Sequence, residues 1–158
     1  MSDPLFVPVE FAVPDGLTAE EFRLEPLGPD QNAADYAAWT ASIGHIRATP
    51  GFGTGWPHEM SLAENRRDLE RHARDFAERR GFTYTVLSTS TGDVIGCVYI
   101  YPLRGDRPGN PSTGERRADV SSWVRADSAA LDPVLYRTVR AWLERDWPFD
   151  SIVYAPRA

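Results

Sequence analysis

One stretch constrains the fold of this chain more than any other: Val94–Tyr101 is a nearly unbroken apolar run. A strand that is apolar on both faces needs cover on both, so it belongs in the middle of a sheet with other layers on each side. Phe82–Ser88 precedes it with strand-like alternation, and Thr91-Gly92-Asp93 turns the chain between the two. Ala118–Arg125 follows, setting Ala118, Val120, Ser122 and Val124 against Asp119, Ser121, Trp123 and Arg125. Three such strands in succession predict an antiparallel meander.

The covering layers are legible on either side of the meander. Phe22–Leu27 alternates and reads as a first strand, ended by Gly28-Pro29. Asn32 caps a helix marked by Tyr36, Trp39, Ile43 and Ile46 and closed by Thr49-Pro50-Gly51. Ser61 and Glu64 form a capping box for a helix running to Arg80, with Leu62, Leu69, Ala73, Phe76 and Ala77 on one face and Gly81 as its stop. Glu70/Arg74 and Asp75/Arg79 are spaced for pairing on its other face. Asp132-Pro133 opens a last helix, whose buried face is Leu135, Val139, Trp142 and Leu143. A short strand, Ser151–Ala155, follows Pro148 and should lie parallel to its predecessor through a right-handed crossover. The fold class is therefore α+β: a mixed, mainly antiparallel sheet flanked by helices. Residues 1–21 read as an extended arm, 22–158 as one domain, and Arg104–Arg117 as a mobile loop.

Composition narrows the function classes. The 158 residues suffice for one core without staples, and 42% apolar content is that of a globular chain. A net charge of -6 argues against nucleic acid or an anionic membrane as partner. All 17 basic residues are arginine, so no lysine is available as a nucleophile or Schiff base. Cys97 is the only cysteine, which excludes an internal disulfide and most structural zinc sites; no metal is expected. The N-terminus lacks a signal pattern and no apolar run approaches the ~18 residues of a spanning helix, so a cytoplasmic protein is expected.

The element order, together with the strand Ala118-Asp119-Val120-Ser121-Ser122-Trp123-Val124-Arg125 ahead of a helix, resembles the GNAT superfamily of N-acetyltransferases. The resemblance covers about residues 22–155 and implies a GNAT-like fold and acyl-CoA-dependent N-acyl transfer to a small amine. It assigns the backbone of Trp123, Val124 and Arg125 to the pantetheine arm of acetyl-CoA. Asp119 takes the place of the general base or a substrate ligand, and the region of Trp56, His58 and Glu59 lines the acceptor pocket. Glu59 is the second carboxylate candidate, and His58-Glu59 could bind an amine or move a proton.

The chain departs from that family in two places. Where the family has Arg/Gln-x-x-Gly-x-Gly/Ala, it reads Arg125-Ala126-Asp127-Ser128-Ala129-Ala130-Leu131-Asp132-Pro133. Glycines there let backbone N–H groups close around a pyrophosphate. Here Pro133 removes one donor, and Asp127 and Asp132 add negative charge, so weak acetyl-CoA binding is expected. The chain also stops soon after its last strand, where the family continues with a helix and a strand pair. An edge at Ser151–Ala155 should then form a homodimer or be covered by the arm at Phe6–Phe11. Two functions remain open: an acetyltransferase-like protein with a degenerate active site, or a non-catalytic small-molecule-binding or dimerisation module on the same scaffold. Leu131 or Trp123 filling the groove between the last two strands would favour the second. His45 and His72 read as surface or boundary residues. Cys97 reads as a buried inert thiol, with space beside Gly96 for a ligand or for tryptophan packing. Gly105–Asn110 is a weak phosphate-loop pattern.

Overall fold

A computed structural model describes residues 5–53, 56–103 and 116–157. The Gly105–Asn110 pattern and most of the loop expected at Arg104–Arg117 lie outside them. Six strands form one sheet in chain order: β1 (Leu17–Thr18), β2 (Phe22–Pro26), β3 (Phe82–Ser88), β4 (Val94–Pro102), β5 (Arg117–Val124) and β6 (Ser151–Tyr154). Every pairing is antiparallel except β5–β6, which α4 (Asp132–Asp146) makes parallel by its crossover. The meander is β3–β4–β5, with Phe82 opposite Ile100 and Ile100 opposite Val120.

The apolar run in β4 is divided between two cores. Ile95, Val98 and Ile100 join Phe82, Tyr84, Val120, Leu135 and Val139 on the α4 side. Val94 and Cys97 join Trp39, Ile46, Leu69 and Trp123 on the other, under α1 (Asn32–Thr40), α2 (Ile43–Arg47) and α3 (Leu62–Ala77). The N-terminal segment crosses the α4 side. Phe6 stacks on Phe82 and Phe149, and Phe11 packs on Trp147.

Several local expectations are corrected. The predicted helix from Asn32 to Thr49 is two, broken at Ala41–Ser42, because the buried Ser42 turns its Oγ to accept the N–H of Ala126, 2.9 Å away. α3 ends at Ala77, and the residue that stops it is Arg79, not Gly81. Arg79 has φ +61°, and the Arg80 and Arg79 N–H groups bond the carbonyls of Asp75 and Phe76, the pattern of a Schellman cap. An arginine there costs about 1–2 kcal/mol of backbone strain. Its guanidinium offsets this by donating to the carbonyls of Pro8 (2.6 Å) and Phe11 (3.0 Å), pinning the N-terminal segment. Gly81 instead admits the Tyr101 ring, which a Cβ would meet at 2.1 Å. Glu70 faces Arg66, and Asp75 faces Arg71 and Arg80, in place of the expected Arg74 and Arg79. α4 begins one residue earlier than expected, with Leu131 as cap and Pro133 second in the helix.

Candidate functional site

The spacing Asp68, Arg71, His72 puts three polar side chains on the face of α3 that looks toward β4 and β5. With Phe52, Trp56, Tyr99 and Ser121 they line a cavity of about 330 Å³. Its aromatic wall is continuous. The Trp56 ring lies 6.0 Å from Phe52, 6.3 Å from Tyr99, 5.6 Å from Trp39 and 6.2 Å from Trp123. Arg47 braces the loop by donating from Nε to the Pro57 carbonyl, 2.8 Å away.

The polar floor is a connected set. His72 is buried, with Nδ1 3.0 Å from the Tyr101 hydroxyl and 2.9 Å from Thr83 Oγ1. Tyr101 donates to Asp75 (2.9 Å). On its other side, His72 Nε2 lies 3.7 Å from Asp68 Oδ2. Burial raises the Asp68 pKa, but hydrogen bonds from His72 and Arg71 outweigh it and hold the carboxyl at about 2. Asp68 therefore stays ionised, bonded to Arg71 at 2.7 Å. Burial pushes the Tyr99 phenol well up, with the neighbouring Cys97 and Asp35 adding to it. Tyr99 is thus a neutral phenol, accepting the Trp123 Nε1–H bond at 3.0 Å. Behind this wall Asp35 is pushed to about 6 by burial, against the opposing bond from Asn65.

Not all the residues singled out from sequence meet here. Trp56 is part of the wall. His58 and Glu59 are exposed, and Glu59 lines a separate cavity of about 530 Å³ with Tyr36, Ile43, Met60 and Glu64. The chain turns away after Pro57 to reach the Ser61 cap of α3, which carries both side chains out of the aromatic pocket. Asp119 is exposed on β5, opposite Tyr101 in register and two residues from Ser121 on the same strand face. His72, expected at the surface or its boundary, is the pocket's buried imidazole. The i,i+4 pair Asp68/His72 was the signal for it. Cys97 is buried, and burial pushes its thiol up. Gly96 leaves no ligand space, since a Cβ would stand 2.3 Å from the Trp123 carbonyl oxygen. Trp123 is fully buried but packs toward α1 and α3, away from the expected α4. Among the described residues no cluster of His, Cys, Asp or Glu could hold a metal ion. Nor, among the described residues, is any helix long and apolar enough to cross a membrane.

The stretch between β5 and α4 is a 3-10 turn, Ala126–Leu131, and several N–H groups in and around it bond within the chain. Arg125 N–H bonds the Ile95 carbonyl, Ala126 N–H the Ser42 hydroxyl, Ser128 N–H the Arg125 carbonyl and Asp132 N–H the Ala129 carbonyl. Arg125 is folded onto Asp127 through two bonds of 3.0 and 3.1 Å. Val124 is buried. A third cavity of about 450 Å³ lies alongside, between Arg125 and Asp127 and the small residues Ala34, Ala37 and Ala38 of α1. β5 and β6 pair from Arg117/Ser151 to Val120/Tyr154. Beyond that point Trp123 does not fill the groove, since it packs on the α1–α3 side. Arg157 does, donating to Asp132 Oδ2 (2.7 Å) and to the carbonyls of Ser122 (2.7 Å) and Ala155 (2.8 Å).

No protein-family model and no curated protein sequence matches this chain. Solved structures do match. The ribosomal L7/L12 α-N-protein acetyltransferase RimL, in complex with coenzyme A, superimposes with a TM-score of 0.62 at 11% identity, over 82% of this chain and 66% of that one. The microcin C7 self-immunity acetyltransferase MccE, in complex with acetyl-CoA and AMP, gives 0.62 at 12% identity over 84% and 66%. The ribosomal-protein-alanine N-acetyltransferase of Brucella melitensis biovar Abortus 2308 gives 0.53 at 14% identity over 86% and 81%. This chain thus spans about two thirds of the length of the first two. At such identities the likeness establishes the fold, and that fold is the GNAT fold.

Proposed function

We propose that this is an acetyltransferase-like protein of the GNAT superfamily, which holds a small amine in the Trp56–Tyr99–His72 pocket and whose acyl-CoA-dependent N-acyl transfer is weakened. The pocket lies between the helices that follow β2 and the β4–β5 face, the region where the sequence resemblance puts the acceptor. Aromatic walls and an ionised carboxylate suit an amine, through cation–π attraction and through Asp68. Asp119 is the carboxylate of β5 nearest in register to Ser121, and Glu59 belongs to the neighbouring cavity.

The observation that carries the reading is the mismatch between this pocket and the loop beside it. The residues at Arg125–Pro133 do not fit an acyl-CoA pyrophosphate. The N–H groups of Arg125, Ala126, Ser128 and Asp132 bond within the chain, Arg125 is paired with Asp127, and Arg157 stands between the ends of β5 and β6. The second reading, a non-catalytic small-molecule-binding module, is favoured by that same occupied groove. Thermal-shift measurements test both. A ligand at a hundred times its Kd stabilises by about 2.7 kcal/mol, or roughly 5–10 °C for a domain of this size. Stabilisation by small amines, with little from millimolar acetyl-CoA or free CoA, is expected. A full shift with acetyl-CoA would restore an unweakened acetyltransferase, and no shift with any amine would remove the pocket's assignment. Acetyl transfer to the amines that bind then separates the weakened enzyme from the silent module.

A further inference from the structure

We infer that Arg157 is a built-in plug, and that the groove between β5 and β6 admits a ligand only when this side chain leaves. The inference rests on the reading above that acyl-CoA binds weakly, and it assigns a cause. A groove between two parallel strands that separate exposes one strand's backbone edge. Here that edge is already capped: Ser122 C=O accepts from Arg157 Nη2 at 2.7 Å. The guanidinium is not a surface group that happens to fall inward. Its side chain is 3% exposed, its Nε meets Asp132 at 2.7 Å, and its plane lies near the Tyr154 and Tyr136 rings, 5.8 and 6.0 Å from their centroids. Tyr154 is fixed in turn by its hydroxyl, which bonds Ser122 Oγ. The plug therefore joins the strand edge, the first turn of α4 and the end of β6 in one contact set.

The set is not saturated. Asp132 Oδ1 is buried with no hydrogen-bond partner among the described residues. Arg157 is thus held to α4 by a single bond to a half-satisfied carboxylate, and otherwise by the carbonyls of Ser122 on β5 and Ala155 just past β6. A buried charge that loses its partner is costly, so guanidinium and carboxylate hold the closed state together. A ligand approaching the β5 edge must displace Arg157 and then face the bare Asp132.

Calorimetry with acetyl-CoA as the probe tests this on three proteins: the unmodified chain, D132N, and D132N/R157A. D132N relieves the repulsion but leaves the plug bonded to Ser122 and Ala155. D132N/R157A is expected to bind at least about tenfold more tightly than D132N, the affinity equivalent of one charge-assisted hydrogen bond that the ligand no longer has to displace. Equal affinities in the two variants, both showing native near-UV circular dichroism, overturn the plug. If D132N/R157A does not fold, D132N/R157Q replaces it, since glutamine keeps a donor on a shorter side chain; the same comparison then decides. Low-micromolar binding by the unmodified chain overturns the weak-cofactor reading itself. Weak and equal binding by all three folded proteins overturns only the plug.

Discussion

Replacing Asp35 with asparagine should stabilise the protein at neutral pH and leave it unchanged in mild acid. Asp35 sits behind the aromatic pocket, 4% exposed, in a chain of bonds that begins at Asn32. Asn32 donates to the Leu62 carbonyl, Asn65 Nδ2 donates to Asn32 Oδ1 and Asp35 Oδ2, and Trp39 Nε1 donates to Asn65 Oδ1. Burial raises the carboxyl from 3.8 to about 6 despite the Asn65 bond. Between those values the folded state holds a proton that the unfolded chain has released, so stability falls as pH rises through this window. At 1.36 kcal/mol per pH unit the loss is about 3 kcal/mol, complete by about pH 7. Asparagine mimics the protonated acid and still accepts from Asn65. Urea denaturation at pH 4 to 8 is the assay, read as the difference between D35N and the parent so that other groups cancel. That difference should grow from near zero at pH 4 to about 3 kcal/mol at pH 7. A difference independent of pH would refute the argument, because the carboxyl would then not be titrating in this range.

Three further outcomes are expected. Trp123→Ala removes a fully buried ring together with its bond to Tyr99, and should cost about 3–5 kcal/mol, lowering Tm by roughly 10 °C; calorimetry showing a change of a degree or less would contradict the core position. Arg79→Ala and Arg79→Gly both release the carbonyls of Pro8 and Phe11 and should speed proteolysis within residues 8–14, yet the glycine variant should be the more stable by about 1 kcal/mol, since only it relaxes the positive φ. Among the described residues β6 is the sheet's last strand, with Ser151 and Val153 exposed, and the N-terminal segment from Leu5 onward packs on the sheet without pairing along this edge. A dimer through β6 is expected by light scattering, and Val153→Pro should reduce it; a parent that stays monomeric across the whole concentration series would exclude the edge as an interface.

What could be read from sequence was whatever a local rule governs. The extents of β3 and β4 follow from alternation and apolar continuity, and the Ser61/Glu64 capping box forms with both reciprocal bonds, 2.9 and 3.0 Å. What escaped reading depends on partners far along the chain. Nothing near Ser42 marks a helix break; its cause, the Ala126 N–H, is distant in sequence. Arg79 takes a glycine's place only because two carbonyls of the N-terminal segment wait for its guanidinium. The pocket was half legible. Trp56 stood out as an aromatic in a glycine-flanked loop, whereas His72 looked like one more polar residue on a charged helix. Its burial needs Thr83 and Tyr101 from two strands. Arg157 carried no signal at all, since Ser122 and Asp132 become its neighbours only after β6 is in place.

The packing of Phe6 against Phe149 has a consequence for synthesis. A ribosome releases the first aromatic 143 residues before the second, so Phe6 and Phe11 have no completed seat while the segment up to Phe149 is being made. This long-loop contact must form after the segment carrying the meander and α4 has been made. Topologies dominated by such distant contacts fold slowly, and during that interval the nascent polypeptide displays an aromatic segment to whatever surrounds it. The arginine at the end of α3 offers an interim anchor, because its hold on Pro8 and Phe11 joins groups that are all made before β3 begins.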